Sequence, residues 1–152
     1  MLLRQYHPSD CKALVNVFYE SVHAIEETDY SSAQLDAWAS GSVDLEEWNE
    51  SFLGHFTVIA EVDGAIVGFS DIDEAGYLDR LFVHPNHQRQ GIASAICDAL
   101  KASVPEAVST ITVSASIPAR SFFEHRGYTV VRRQEVRRNG EILVNYAMIL
   151  HR

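Results

Sequence analysis

Leu81-Phe82-Val83-His84-Pro85-Asn86-His87-Gln88-Arg89-Gln90-Gly91-Ile92-Ala93 contains three kinds of local structure in thirteen residues. Leu81 to Val83 end a β-favouring run, and His84 to Gln90 are polar and irregular. After Gly91 the pattern turns helical: Ile92, Ile96, Ala99 and Leu100 share one face until Pro105 stops the helix. A strand-loop-helix of this kind leaves unpaired backbone N–H groups at the positive end of the helix, which is a ready anion site. Gly91 lets the backbone approach a diphosphate closely, Ala93 is too small to block it, and Arg89 offers a charge-assisted contact. Neither GxxxxGK[ST] nor GxGxxG is present, so this is not a Walker loop or a dinucleotide fingerprint.

Upstream of this stretch, Phe56–Val62 and Ala65–Ile72 are strands joined by the hairpin signal Asp63-Gly64, and Glu74-Ala75-Gly76 turns into a third strand, Tyr77–Val83. These three predict an antiparallel meander. Farther upstream, Leu14, Val15, Phe18, Val22 and Ile25 form a helical stripe with Ser9 or Asp10 as its cap. Tyr30–Trp38, capped by Ser31 or Ser32, and Asp44–Phe52, which carries Trp48, read as two shorter helices. Downstream come a strand at Val108–Ser114, a helix at Ala119–His125 opened by Pro118 and closed by Gly127, and two strands. Those strands, Tyr128–Val136 and Glu141–Leu150, are joined by Asn139-Gly140. The order predicts a mixed α/β fold. A strand, crossover helix and strand in its middle imply one parallel pair inside an otherwise antiparallel sheet.

The 152 residues suit one domain, 1–152, and 47% hydrophobic with 22% charged residues exclude wholesale disorder. Twelve Lys and Arg against 21 Asp and Glu leave a net charge of −9, which argues against nucleic-acid binding and suits a cationic small molecule or basic segment. Arg132-Arg133 and Arg137-Arg138 are expected as exposed charges on the last hairpin. Cys11 and Cys97 have no zinc spacing and are expected as buried free thiols. No apolar run approaches the roughly 18 residues of a spanning helix, and no secretory leader is visible, so the expected setting is cytoplasmic with no membrane partner.

Gln88-Arg89-Gln90-Gly91-Ile92-Ala93 matches the phosphate motif Q/R-x-x-G-x-G/A, and here the chain resembles the GCN5-related N-acetyltransferase (GNAT) superfamily. Ala119-Arg120-Ser121-Phe122-Phe123-Glu124-His125-Arg126-Gly127-Tyr128 is similar to a second family segment, A-x-x-x-Y-E-x-x-G-F/Y, which flanks the cofactor's thiol arm. Val22-His23-Ala24-Ile25, Tyr30 and Gln34 to Ala39 are more loosely similar to a bacterial YafP-like branch. The resemblance implies the GNAT fold: a twisted sheet with helices on both faces, its parallel strand pair splayed at the cofactor site. It also implies acetyl-CoA as cosubstrate, an amine acceptor, and no metal. By carry-over, Leu81, Phe82 and Val83 hold the pantetheine arm, and Gln88, Arg89, Gln90, Gly91, Ile92, Ala93 and Ser94 hold the diphosphate. Ser116, Phe122, Phe123 and Arg126 are further cofactor contacts on that basis.

Acetyl transfer needs a base for the amine, a donor to the thioester carbonyl and a proton for the leaving thiolate. Asp79 is the first candidate base; period-2 alternation puts it on the sheet face of Tyr77, Leu81 and Val83. Glu61, Asp71 and His23 are the alternatives, and an ion-paired or solvated Asp79 is the competing reading. The carbonyl donor is expected near Phe82 or Val83. Where the family often places a thiolate-protonating Tyr, this chain has Phe123, so Tyr128 or water is left for that task. His23, Tyr30 and Trp38 are the expected acceptor contacts, against the alternative that Trp38 and Trp48 only pack helices onto the sheet. His84 and His87 lack metal-ligand company. The long last hairpin is a candidate homodimer surface. The rival function is a non-catalytic acetyl-CoA-binding sensor or structural module, which Phe123 keeps open; a second is a scaffold with no acyl-CoA role.

Overall fold

A computed structural model describes residues 1–152. Its seven-stranded sheet has the order β1-β2-β3-β4-β5-β7-β6. β2 (Phe56–Val62), β3 (Ala65–Ile72) and β4 (Tyr77–Val83) form the expected meander with the expected bounds. β4 and β5 (Thr110–Ser116) are the parallel pair, β5 joins β7 (Glu141–His151), and β7 pairs with β6 (Thr129–Arg138). β5 starts and ends two residues later than the sequence pattern suggests.

One strand escapes the sequence pattern altogether. β1 (Leu2–Gln5) pairs antiparallel with β2. Four residues carry too little alternation to announce an edge strand; its register comes from β2. Arg4 on β1 donates to Asp10 and Glu61, each bond at about 2.9–3.0 Å. Of the two expected caps, Asp10 is the N-cap residue of α1, but its side chain bonds no α1 amide: it serves Arg4 and the His7 amide, and Arg4 holds its carboxyl below the usual range.

The helices lie on both faces. α4 (Ile92–Ser103) and α5 (Arg120–His125) cover one, where Ile96, Leu100, Ile111 and Phe123 are almost wholly buried. α1 (Cys11–His23), α2 (Ser32–Trp38) and α3 (Leu45–Gly54) cover the other, with Leu14, Val22, Phe52 and Phe69 at its centre. The apolar stripes of α1 and α4 are what drive this arrangement, because each removes one helix face from water. Ser31 caps α2 in a reciprocal box with Gln34, and Asp44 caps α3. Both cysteines are free and buried, and burial pushes the Cys97 thiol up to about 11. No helix is long and apolar enough to cross a membrane.

The tip of the β6–β7 hairpin is fixed to the N-terminal helices. The Tyr30 hydroxyl donates to the Val144 carbonyl at 2.6 Å, Gln34 to Ile142 at 2.8 Å, and Asn139 to Ala37 at 2.7 Å. These bonds hold the hairpin across the mouth of the gap between β4 and β5.

Candidate active site

β4 and β5 pair only at Tyr77↔Thr112 and Leu78↔Val113. Beyond that point β5 stays with β7 through Ser116↔Asn145, while β4 remains with β3 through Val83↔Gly68. The strands therefore fork. Within the β3–β4 ladder the His84 amide donates to the Val67 carbonyl, which makes Gly68–Val83 a wide pair and Phe69–Phe82 a hydrogen-bonded one. Phe82 thus spends its N–H on β3, whereas the N–H groups of Leu81 and Val83 point into the fork. Of the two positions expected for the carbonyl donor, Phe82 is therefore excluded and Val83 is free, with Leu81 as a second available amide. The Val83 carbonyl already accepts from Ser21 Oγ at 3.0 Å and Gln88 Nε2 at 3.2 Å.

Two cavities meet at this fork. One of about 660 Å3 runs from the end of α1 past Leu81, Phe82 and Val83 to the start of α4. Gln88, Arg89, Gly91, Ile92, Ala93 and Ser94 line its far end. Gly91 is the N-cap of α4 at φ 80°, and no side chain caps the helix. Arg89 is also left-handed, at φ 62°. Two left-handed residues bracketing Gln90 turn the chain so that the first α4 amides remain free, and a Cβ on Gly91 would meet nothing within 4 Å. Free amides, open space and a nearby arginine fit a diphosphate. Gln90 lines neither cavity.

The second cavity, about 430 Å3, lies between the N-terminal helices and the β6–β7 hairpin and contains Asp79. Trp38, Leu81, Phe82, Ser116 and Ala119 line both spaces, so they adjoin through the fork. Phe123 lines the second and Phe122 the first.

Asp79 reaches this cavity by a β-bulge. Asp71 pairs with Arg80 and Ile72 with Leu78, which leaves Asp79 as the extra residue. The bulge resets the alternation, so Leu78 rather than Tyr77 joins the core under α4 with Leu81 and Val83. The expectation that Asp79 shares a face with Leu81 and Val83 fails for this reason. Its carboxylate instead lies 3.5 Å from Arg80 and close to His55 and Asp71. Its side chain keeps 38% exposure, and partial burial raises its pKa against the opposing pull of Arg80.

Arg80 is an ion-pair partner of Asp79, as the competing reading expects, but a distant one, because its shorter bonds go elsewhere. Its guanidinium makes two bonds to Asp71 at 3.0 and 2.6 Å and one to Ser51 at 2.6 Å. It also lies 4.9 Å from the Trp48 ring and 4.4 Å from the Phe52 ring. Asp71 is fully buried and also bound by His55 at 2.7 Å, so it is a structural counter-ion and lines neither cavity. Glu61 serves Arg4 at the sheet edge. His23 bonds the Ala39 carbonyl at 2.7 Å, stacks on Tyr19 and lines neither cavity. Of the four carboxylate and imidazole candidates for a base, the structure brings only Asp79 to the fork.

Tyr30 and Trp38 both line the cavity of Asp79. Tyr30 is 2% exposed and its hydroxyl, besides donating to Val144, accepts from the Ile117 amide at 3.0 Å. It is a brace whose ring edge forms cavity wall. Trp38 and Trp48 pack on Phe18 and also line the cavity. Tyr128 lies in the core under α4, 5.0 Å from Phe123, and lines neither cavity; burial pushes its phenol up to about 12. Arg126 bonds Asp98 at 2.6 Å and also lines neither. The sequence reading missed Arg138 as a cavity residue. It is exposed on the edge strand β6 as expected, and, on the same face as Val136, it also lines the Asp79 cavity. Period-2 alternation from Val136 is the signal that identifies it.

Residues 26–150 match the family model described as Acetyltransferase (GNAT) domain. The chain is 35% identical over 146 residues to the uncharacterized N-acetyltransferase YafP of Escherichia coli (strain K12), covering 96% of this chain and 93% of that protein. A solved Rhodopseudomonas palustris protein, described as "GCN5-Related N-acetyltransferase: Aminotransferase, Class-II", is 33% identical with a TM-score of 0.95, covering 99% of this chain and 95% of that one. PaiA N-acetyltransferase from Thermoplasma acidophilum, solved in complex with coenzyme A, has the same fold at 16% identity, with a TM-score of 0.78 over 99% of this chain and 98% of its own.

Proposed function

The chain belongs to the GNAT family of acyl-CoA-dependent N-acetyltransferases, and on that premise we propose that it moves the acetyl group of acetyl-CoA directly to an amine bound in the same complex. The observation that carries this reading is the continuity of the two cavities: the uncapped start of α4 opens one, Asp79 lies in the other, and the fork joins them. A diphosphate fits the amides from Gly91 to Ser94, with Gln88 and Arg89 around it. The pantetheine arm then runs along Leu81 and Val83 as an added strand does, past Ser116 and Phe122. The thioester arrives at the fork, where an amide of Leu81 or Val83 stabilises negative charge growing on its oxygen.

The acceptor enters beside Asp79, which takes a proton from the amine and frees its lone pair for attack; the new N–C bond then forms and the C–S bond breaks. A raised carboxyl pKa suits this task, because it narrows the gap to the amine whose proton must be accepted. The departing sulfur takes its proton from water. Phe123 has no donor and is 2% exposed, and Tyr128 is given no proton-transfer role because it stands off both cavities.

Calorimetric titration with coenzyme A, followed by thiol release across an amine panel, tests this. The expected result is saturable binding and amine-dependent thiol release. Folded protein that binds no coenzyme A would overturn the proposal, whereas tight binding with silence toward every amine would favour a non-catalytic module.

A further inference from the structure

The acceptor cavity is lined by two charges of opposite sign, Asp79 with one long ion pair and Arg138 with none. Its other polar groups are largely taken. Arg80 is held by Asp71 and Ser51, Asn139 by Ala37, Asn145 by Gln134, and the Tyr30 hydroxyl by Val144 and Ile117. Asp79 has only the 3.5 Å approach of Arg80. Arg138 has no ion pair and no side-chain hydrogen bond, although it lines the same cavity and its charge is felt at Asp79. It is held there by its backbone. Arg138 ends β6 paired with Glu141, and the next residue, Asn139, is tied to α2. The apolar part of the cavity lining includes Trp38, Trp48, Val43 and Leu143.

Resting on the acetyltransferase reading, we propose that the acceptor is of the α-amino-acid class: a reactive amine beside a carboxylate, with an apolar side chain. The ammonium group faces Asp79, the carboxylate takes the guanidinium of Arg138, and the side chain lies on the tryptophan walls. A guanidinium is suited to the second contact because its planar fork matches a carboxylate. A diamine would place its second cation toward Arg138, so the cavity selects against the polyamines that the net charge of −9 would otherwise draw in. The ammonium nitrogen loses two protons in all: one to Asp79, which frees the lone pair for attack, and one to water as the N–C bond forms and the C–S bond breaks, while the departing thiolate regains one from water and leaves as the thiol.

The test compares L-phenylalanine and L-methionine with their carboxamides, with phenethylamine and with putrescine, reading thiol release at saturating acetyl-CoA. Carboxamides have the less basic and therefore more readily deprotonated amine, so chemistry alone favours them. A preference of about tenfold or more in kcat/KM for the free acids is expected, carried mainly by KM. Arg138→Gln should erase that preference, and Arg138→Lys should restore part of it. Equal or better use of the amides, or a preference that survives Arg138→Gln, overturns the assignment and leaves the acetyltransferase reading standing. If no acceptor turns over, the same compounds are titrated into the coenzyme A-saturated protein. Acid binding that is lost in Arg138→Gln supports the assignment, and no heat with the acids overturns it. Failure to bind coenzyme A removes the acetyltransferase reading itself, and is seen before any acceptor is added.

Discussion

Replacing Gly91 by valine separates strain in the phosphate loop from its grip on a ligand. Gly91 adopts φ 80°, and a β-branched residue held there costs about 1–3 kcal/mol. No clash is added, because nothing lies within 4 Å of the new Cβ. For a chain of this length each kcal/mol lowers Tm by about 2–4 °C, so Gly91→Val should melt roughly 2–12 °C early and still fold. Binding should suffer more. Hydrogen bonds to a charged group contribute about 1.5–3 kcal/mol each, and re-aiming one or two amides weakens coenzyme A by roughly tenfold to more than a thousandfold. Gly91→Ala, with less strain and no branching, should fall between. Calorimetry with coenzyme A and a thermal melt on the same samples read both effects. A valine variant that melts early yet keeps its Kd within about threefold would show that the diphosphate is not held by these amides.

Asp79→Asn should cut amine-dependent turnover by about tenfold or more while leaving coenzyme A affinity nearly unchanged. It should also stabilise the protein at neutral pH. With the folded pKa raised, the native state binds more protons than the unfolded chain just above the ordinary Asp range, so Asp79 costs stability as pH rises through that window. A variant that is both less stable and fully active contradicts both halves of that argument. The acid limb of turnover should accordingly lie above the ordinary carboxyl range in a kcat/KM profile and vanish in the Asn variant. Tyr30→Phe leaves the Ile117 amide and the Val144 carbonyl without their partner, and should lower stability by about 1–3 kcal/mol in a denaturant melt. An unchanged midpoint would mean that the hairpin is held to the helices by other contacts.

Periodicity made most of the secondary structure legible. β2, β3, β4 and α4 have their expected bounds because each couples a clear period to a turn or breaker at both ends: Asp63-Gly64, Gly76, Gly91, Pro105. β1 was hidden because its four residues owe their conformation to β2 and to the Arg4 contacts. The anion loop was legible because its determinant is backbone conformation, which glycine and helix patterning encode locally.

The acceptor side was not, since it is assembled from distant segments. The bulge that sends Asp79 to the α3 side is a property of β4 against β3, and alternation along β4 alone gives the wrong face. Asp71, Glu61 and His23 are equivalent to Asp79 as residue types, and only their partners, Arg80, Arg4 and Ala39, remove them from the reckoning. Tyr128 and Arg126 sit in a family-like segment, yet packing under α4 and the Asp98 bond draw both away from the cavities. Local patterning by itself thus determined every strand and α-helix but β1, their order and the glycine turn that opens α4, since these depend on neighbours within a few residues. Tertiary packing alone decided that Asp79 keeps only a long ion pair and Arg138 none, because the availability of both depends on what every other polar group in the cavity already binds.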